Sequence, residues 1–173
     1  DQAAKELGIT DEVQVEYVCG GQFYGDADIT AYMDTWFGSK GVEIVFACGG
    51  GIYTSAAEAA VKTGGKIIGV DLDQSATIDE YEDGLTVTSA MKGLQVTIDN
   101  VLSAIKGGTW DAYAGEMENL GLESANPEEN YVQLPETTTQ WDDNFTVDDY
   151  RDLVQRMYDG ELTVSGDTTS FPE

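Results

Sequence analysis

Apolar and polar positions along the chain fall into short runs that change period at glycines. From Val13 to Cys19, apolar Val13, Val15 and Tyr17 alternate with polar residues before Val18 and Cys19 run on apolar, the period-two signature of a strand. After the loop Gly20-Gly21-Gln22-Phe23-Tyr24-Gly25, Asp26 or Asp28 can cap a helix that gathers Ile29, Met33, Trp36 and Phe37 on one side. Val42 to Cys48 is almost wholly apolar, which predicts a central strand. Gly49-Gly50-Gly51 is its exit loop, and Thr54 or Ser55 starts an alanine-rich helix that ends at Gly64-Gly65. The next run, Gly65 to Gln74, is apolar and stops abruptly at two carboxylates, Asp71 and Asp73. Leu85 to Ala90 predicts a fourth strand, followed by a helix with Leu94, Ile98, Val101, Leu102 and Ile105 on one face and a stop at Gly107-Gly108.

Strand and helix alternating at this spacing imply right-handed βαβ units and a parallel sheet, the α/β class. Residues 1–108 therefore read as one parallel α/β lobe, and residues 109–173 as a C-terminal extension of different character. Its residues 109–145 hold two of the three prolines and segments such as Glu116-Met117-Glu118-Asn119 and Tyr131-Val132-Gln133-Leu134, which fit edge strands or long loops. Thr146 with Asp149 marks a last helix start, with Tyr150, Leu153, Val154 and Met157 as its apolar stripe up to Gly160. Asp1 to Gly8 reads as the end of a helix closed by glycine, so a preceding segment is expected.

Charge narrows the partners. With 33 acidic and 8 basic residues the net charge is −25, which repels phosphate backbones and anionic lipid and argues against nucleic-acid binding or a membrane-surface role. Residues 111–173 carry 16 acids and 2 bases, and residues 1–110 carry 17 and 6. Solvated surface charge is the plain reading of this balance, with adaptation to salt or an acidic docking face as the alternatives. The chain has no histidine, which removes the commonest general base and metal ligand. Two cysteines without histidine do not make a common zinc site, so neither a metal nor a cofactor is expected.

Three strand ends present similar groups: Cys19-Gly20-Gly21, Cys48-Gly49-Gly50-Gly51 and Asp71-Leu72-Asp73. Open α/β sheets bind ligands in the crevice beyond such ends, and glycines there admit a ligand close to backbone amides. Neither G-x-G-x-x-G nor G-x-x-x-x-G-K-[ST] occurs, so nucleotide di- and triphosphates are poor candidates. Phe23 and Tyr24 sit in a loop, where a ring either lines the core or offers a stacking platform. Lys92 stands at a helix start, the unfavourable end for a cation, which suggests a role beyond packing. Asp71 and Asp73 are two residues apart and point in different directions, a poor arrangement for paired acid–base work. A carboxylate accepting from vicinal hydroxyls, beside a lysine and an aromatic face, describes a sugar or nucleoside site. Cys19 and Cys48 end neighbouring segments at matching positions; they read either as a disulfide pair or as two buried free thiols.

Three segments carry a family resemblance. They are Val42-Glu43-Ile44-Val45-Phe46-Ala47-Cys48-Gly49-Gly50-Gly51, the helix Ala56-Ala57-Glu58-Ala59-Ala60, and Ile68-Gly69-Val70-Asp71-Leu72-Asp73-Gln74. Together with Val87-Thr88-Ser89-Ala90-Met91-Lys92 and Gly121-Leu122, they resemble the basic membrane protein lipoproteins, PnrA-like substrate-binding proteins of nucleoside ABC transporters. The match covers roughly residues 1–125. It implies mainly the C-terminal lobe, parallel-sheeted and three-layered, of a type I periplasmic-binding-protein fold that closes with a second lobe over a purine nucleoside without catalysis. On that pattern Phe23, with Tyr24 beside it, would stack on the base and Gly49, Gly50 and Gly51 would approach the ligand. Asp71 or Asp73 would accept from ribose hydroxyls, and Lys92 would donate to the sugar. The resemblance further implies a monomer, an ABC permease as partner, and a lipid anchor at the outer face of the cytoplasmic membrane. Family members carry an N-terminal lobe before the helix that ends at Gly8, and they usually have small residues where Cys19 and Cys48 stand. The alternatives are a nucleoside or glycoside hydrolase on a similar doubly wound fold, and a ligand-free surface or regulatory protein.

Overall fold

The glycine-bounded run that ends in carboxylates becomes an interior strand of a four-stranded sheet. In the computed structural model, which describes residues 2–164, the strands are β1 (Ile44–Phe46), β2 (Lys66–Asp71), β3 (Thr86–Lys92) and β4 (Val132–Gln133), in that spatial order. β1 and β2 pair in parallel, as do β2 and β3; β4 joins antiparallel, with Met91 opposite Gln133 and Lys92 opposite Val132. Of the two readings for Tyr131 to Leu134, edge strand or long loop, the edge strand is the one formed.

The helices are α1 (Gln2–Leu7), α2 (Ala27–Thr35), α3 (Tyr53–Ala60), α4 (Ser75–Ile78), α5 (Leu94–Gly107) and α6 (Val147–Tyr158). Of the two candidate caps for α2, Asp26 is the one used, its carboxylate accepting from the Ile29 N–H at 2.8 Å. A π-helical turn, Trp36–Lys40, extends α2 and ends at Gly41 with φ 70°. Gly8 closes α1 in the left-handed conformation, as its sequence position suggests. At α6 the anticipated start is a full capping box: Asp149 N–H to the Thr146 hydroxyl, and Thr146 N–H to the Asp149 carboxylate.

The core lies between the sheet and the layer made by α2, α3 and α4. Met33, Trp36 and Phe37 meet Ala56, Ala57, Ala59 and Ala60 there, over Val45, Ala47, Ile67, Ile78 and Leu85. Alanine on the inner face of α3 lets that helix approach α2 and the sheet closely. Ile67 and Ile78 are completely buried.

Two expectations change. Residues 13–20 form no strand, and Val13, Val15 and Tyr17 are exposed. This segment makes no ladder with β1; the chain pairs only just beyond it, in a parallel bridge between Tyr24 and Gly51. Without that neighbour, β1 is an edge strand rather than a central one, and it is only three residues long. Val45 faces the core while Ile44 and Phe46, one residue out of phase, are about half exposed. The stripe of α5 also stays in solvent: Leu94, Ile98, Leu102 and Ile105 are each about half exposed, and Ala104 is the helix's buried residue. Periodicity predicts which residues share a face but not whether that face is covered.

Truncation should separate these environments. Ile67→Ala and Ile78→Ala should each lower unfolding free energy by roughly 2–5 kcal/mol, because each opens a cavity in a closed core. Leu102→Ala should change it by no more than about 0.5 kcal/mol. Urea unfolding of the three variants checks the contrast.

Candidate functional site

Parallel pairing brings the C-terminal ends of β1, β2 and β3 to one edge of the sheet. Because Asp71 lies opposite Met91 in the register, Lys92 is the next residue along, and its ammonium reaches the Asp71 carboxylate at 2.7 Å. The bond with Asp71 raises the lysine pKa above its ordinary value, and the Cys48 side chain adds to the effect in smaller measure. Asp71 thus supplies the charge partner that the helix start denies Lys92.

Asp71 is also the one non-glycine with positive φ among the described residues, at 69°. An aspartate tolerates this conformation better than most residues, yet it remains costly for an L side chain. The turn it makes brings Gln74 back over the strand end. Gln74 Oε1 accepts from the Val70 N–H at 2.9 Å, its Nε2 donates to Gly50 O at 2.9 Å, and its own N–H donates to the Ser89 hydroxyl at 3.1 Å.

The glycine loop packs against the aromatic loop. Gly51 N–H donates to Phe23 O at 2.9 Å. A methyl group on Gly49 would meet Phe23 Cδ1 at 3.5 Å, one on Gly50 would meet Asp71 Oδ2 at 3.7 Å, and one on Gly51 would meet Tyr24 Cδ1 at 3.7 Å. Phe23, Tyr24, Gly50, Gly51, Asp71 and Lys92 therefore lie together at one surface, whereas Gly49, expected to approach the ligand, is buried against Ile52 and Phe23. Phe23 and Tyr24 are 69% and 71% exposed, so they present ring faces to solvent rather than line the core. A flat group laid on this surface would have an aromatic ring on one side and an ion pair able to donate and accept hydrogen bonds on the other.

Asp73 is placed differently. Its Oδ1 accepts from the Ser75 N–H at 3.0 Å and its Oδ2 from the Thr138 hydroxyl at 2.8 Å, so both oxygens are engaged within the chain. Burial pushes its pKa up, but the bonds from Ser75 and Thr138 outweigh that and hold it below the ordinary value. Gln74 and Thr138 organise the site without having been singled out as candidates. Gln74 stands in the same quoted segment as the aspartates, whereas Thr138 lies 65 residues from Asp73 and no local pattern connects them.

The thiols of Cys19 and Cys48 are free, as in the second of the two readings, but exposed rather than buried, and they are not bridged. Among the described residues, no group of three or more histidine, cysteine or acidic side chains is arranged to hold a metal ion, and no helix is long and apolar enough to cross a membrane. A groove of about 450 Å³ between α2 and α3 is lined by Asp26, Asp34 and Glu58. Asp34 there pairs with Lys62 at 2.7 Å.

A mostly parallel sheet with its candidate site beyond the strand ends has the α/β fold of a lobe of periplasmic-type solute-binding proteins. The chain is similar in structure to an ABC transporter system solute-binding protein from Conexibacter woesei DSM 14684, with a TM-score of 0.63 and 23% sequence identity. The similarity covers 94% of this chain and 50% of that protein, so the chain spans about half the length of its structural relative. No protein-family model matches the sequence, and no curated protein matches it.

Substitutions at two positions test the local geometry. Asp71→Gly should be at least as stable as Asp71→Ala by about 1 kcal/mol, since glycine adopts a positive φ freely and neither variant keeps the ion pair; urea unfolding reads the difference. Thr138→Val should raise the Asp73 pKa, followed by NMR titration of its carboxyl carbon. A depressed folded pKa contributes stability above the unfolded carboxylate range that is lost as pH falls through the folded value, so the variant should lose less stability over that acid interval.

Proposed function

We propose that this chain is a lobe of the substrate-binding component of an ABC importer, binding a purine nucleoside or a related sugar-containing ligand without catalysis. The observation that carries the reading is the Asp71–Lys92 pair set beside Phe23 on a glycine floor, at the sheet edge where this fold class binds ligands. An ion pair at a strand end offers acceptor and donor to neighbouring hydroxyls, and Phe23 offers a face to a base. The site is one-sided. A second lobe, of the kind that would account for the other half of the relative's length, would supply the opposing wall and exclude water. An ABC permease would be the protein partner and an extracytoplasmic, lipid-anchored position the setting. In this reading Asp73 shapes the turn that presents Asp71, with its own oxygens available to hydroxyls only if Thr138 yields.

The assignment is tested by NMR titration of the chain with inosine, guanosine, adenosine and free ribose. Nucleosides should shift the amides of residues 23–24, 49–51, 71 and 92, with weak affinity because half the cleft is present. The Asp71→Ala/Asp73→Ala double variant should lose these shifts. Shifts with ribose alone would move the assignment to a sugar receptor, and cleavage of the nucleoside on a chromatogram would replace it with a hydrolase.

A further inference from the structure

Asn144 is followed by Phe145 and Thr146, the Asn-x-Thr spacing, with no proline between, at which N-linked glycans are attached. The chain has five asparagines, and the other four lack a hydroxyl two residues on: Leu102 follows Asn100 there, Gly121 follows Asn119, Glu128 follows Asn126 and Val132 follows Asn130. Such a spacing also arises by chance, so its placement in the fold decides. Residues 143–145 form an exposed bend that leads into α6. Its backbone is held by Asp142, whose Oδ1 accepts from the Asn144 N–H at 2.7 Å and from the Phe145 N–H at 3.0 Å. The Phe145 bond, and then the Asn144 bond, hold the Asp142 carboxyl below its ordinary value, so this acceptor stays charged at neutral pH. The Asn144 side-chain amide is held far less, reaching Asp142 Oδ2 at 3.5 Å, the limit of a hydrogen bond. Asn130 is the opposite case: it is buried, it accepts from the N–H groups of Glu123 and Ser124, and it donates to the carbonyls of Ser124 and Asn126. One asparagine is built into the fold and the other is presented by it.

We infer that Asn144 is the acceptor of an N-linked glycan, transferred from a polyprenyl-pyrophosphate-linked oligosaccharide by a membrane-bound transferase. The inference rests on the extracytoplasmic setting of the proposed function, because this modification belongs to secreted chains. The Asn144 amide nitrogen forms a bond to the anomeric carbon of the first sugar. The bond from that carbon to the pyrophosphate oxygen breaks, and polyprenyl pyrophosphate leaves with its electron pair. One amide proton passes to a base of the transferase, and nothing is oxidised or reduced. Thr146 supplies the hydroxyl by which the spacing is recognised. In the folded chain that hydroxyl donates to Asp149 Oδ2 at 2.6 Å and accepts from the Asp149 N–H at 3.2 Å. This is the first turn of α6, and helix ends fray, so the hydroxyl is released by opening one turn rather than the lobe. The glycan leaves the chain next to Phe145, whose ring is 43% exposed and tilted against Trp141. It adds hydrated, uncharged cover there to a surface that already carries a net charge of −25.

The test uses the full chain, a purified oligosaccharyltransferase and a chitobiose-pyrophosphate-polyprenol donor. It needs neither nucleoside nor importer, so its outcome is separate from that of the nucleoside titration. Intact mass should rise by one chitobiose, and digestion should place the gain on the peptide that holds Asn144. Peptide N-glycanase should remove the sugar and leave an aspartate in its place. Asn144→Gln, which keeps the Thr146–Asp149 capping box, should lose the mass gain with an unchanged circular dichroism spectrum. Thr146→Val should lose it as well, and Thr146→Ser, which retains a hydroxyl, should recover it. A wild-type chain that stays unmodified while a control Asn-x-Thr peptide is glycosylated in the same tube overturns the inference. So does a mass gain that persists in Asn144→Gln, or a bare Asn144 in the protein isolated from its own cells.

Discussion

Gln74 ties β2, β3 and the loop beyond β1 together, locking an edge that backbone pairing has already assembled. One amide oxygen holds Val70 at the end of β2, one amide nitrogen holds Gly50 beyond β1, and the residue's own N–H reaches Ser89 in β3. This is possible because the chain reverses at Asp71 with a positive φ, and because position 69 is glycine: a methyl group there would lie 2.7 Å from Ser89 Oγ and 2.9 Å from Gln74 Oε1. Backbone strain at Asp71 and the missing side chain at Gly69 are two conditions of one arrangement. Its product is an exposed carboxylate within reach of Lys92 and a glycine floor held at fixed height beside Phe23.

Elements whose signal is local were legible in the sequence. β2, the Asp26 cap, the capping box of α6 and the glycine-closed ends of α1 and α5 follow from residues within a few positions of one another. The association of the glycine loop, Asp71 and Lys92 was legible too, because parallel strands deliver their C-terminal ends to the same edge; Phe23 joins them although the strand expected before its loop does not form. What failed depends on distant partners. A strand at residues 13–19 needs a neighbour to pair with, and the apolar stripe of α5 needs a surface to cover it; alternation and periodicity report neither. Thr138 was invisible for the same reason, since its bond to Asp73 spans 65 residues.

Residues beyond Gly108 bind to the lobe as much as they extend it. β4 adds to β3, Thr139 meets Thr88 at 2.7 Å, and Gln140 donates to the carbonyls of Gly84 and Thr86. Tyr150 of α6 stacks on Trp141, and its hydroxyl accepts from the Leu134 N–H at 3.0 Å. Burial raises the Tyr150 pKa, and the Leu134 bond opposes that. A segment that sequence composition sets apart is thus laced to the sheet through polar contacts that composition does not reveal.

The half-bare stripe of α5 and the outward residues of β1 have a colloidal consequence. A helix with only Asp99 and Lys106 as charges sits on a chain of net charge −25, so at low ionic strength the rest of the surface holds copies apart. In about 1 M salt the Debye length falls to roughly 3 Å and that repulsion no longer spans the gap between two molecules. Leu94, Ile98, Leu102 and Ile105 then face one another across water with nothing but hydration to keep them separate. The solubility of this lobe is therefore a property of its ionic surroundings as much as of its sequence.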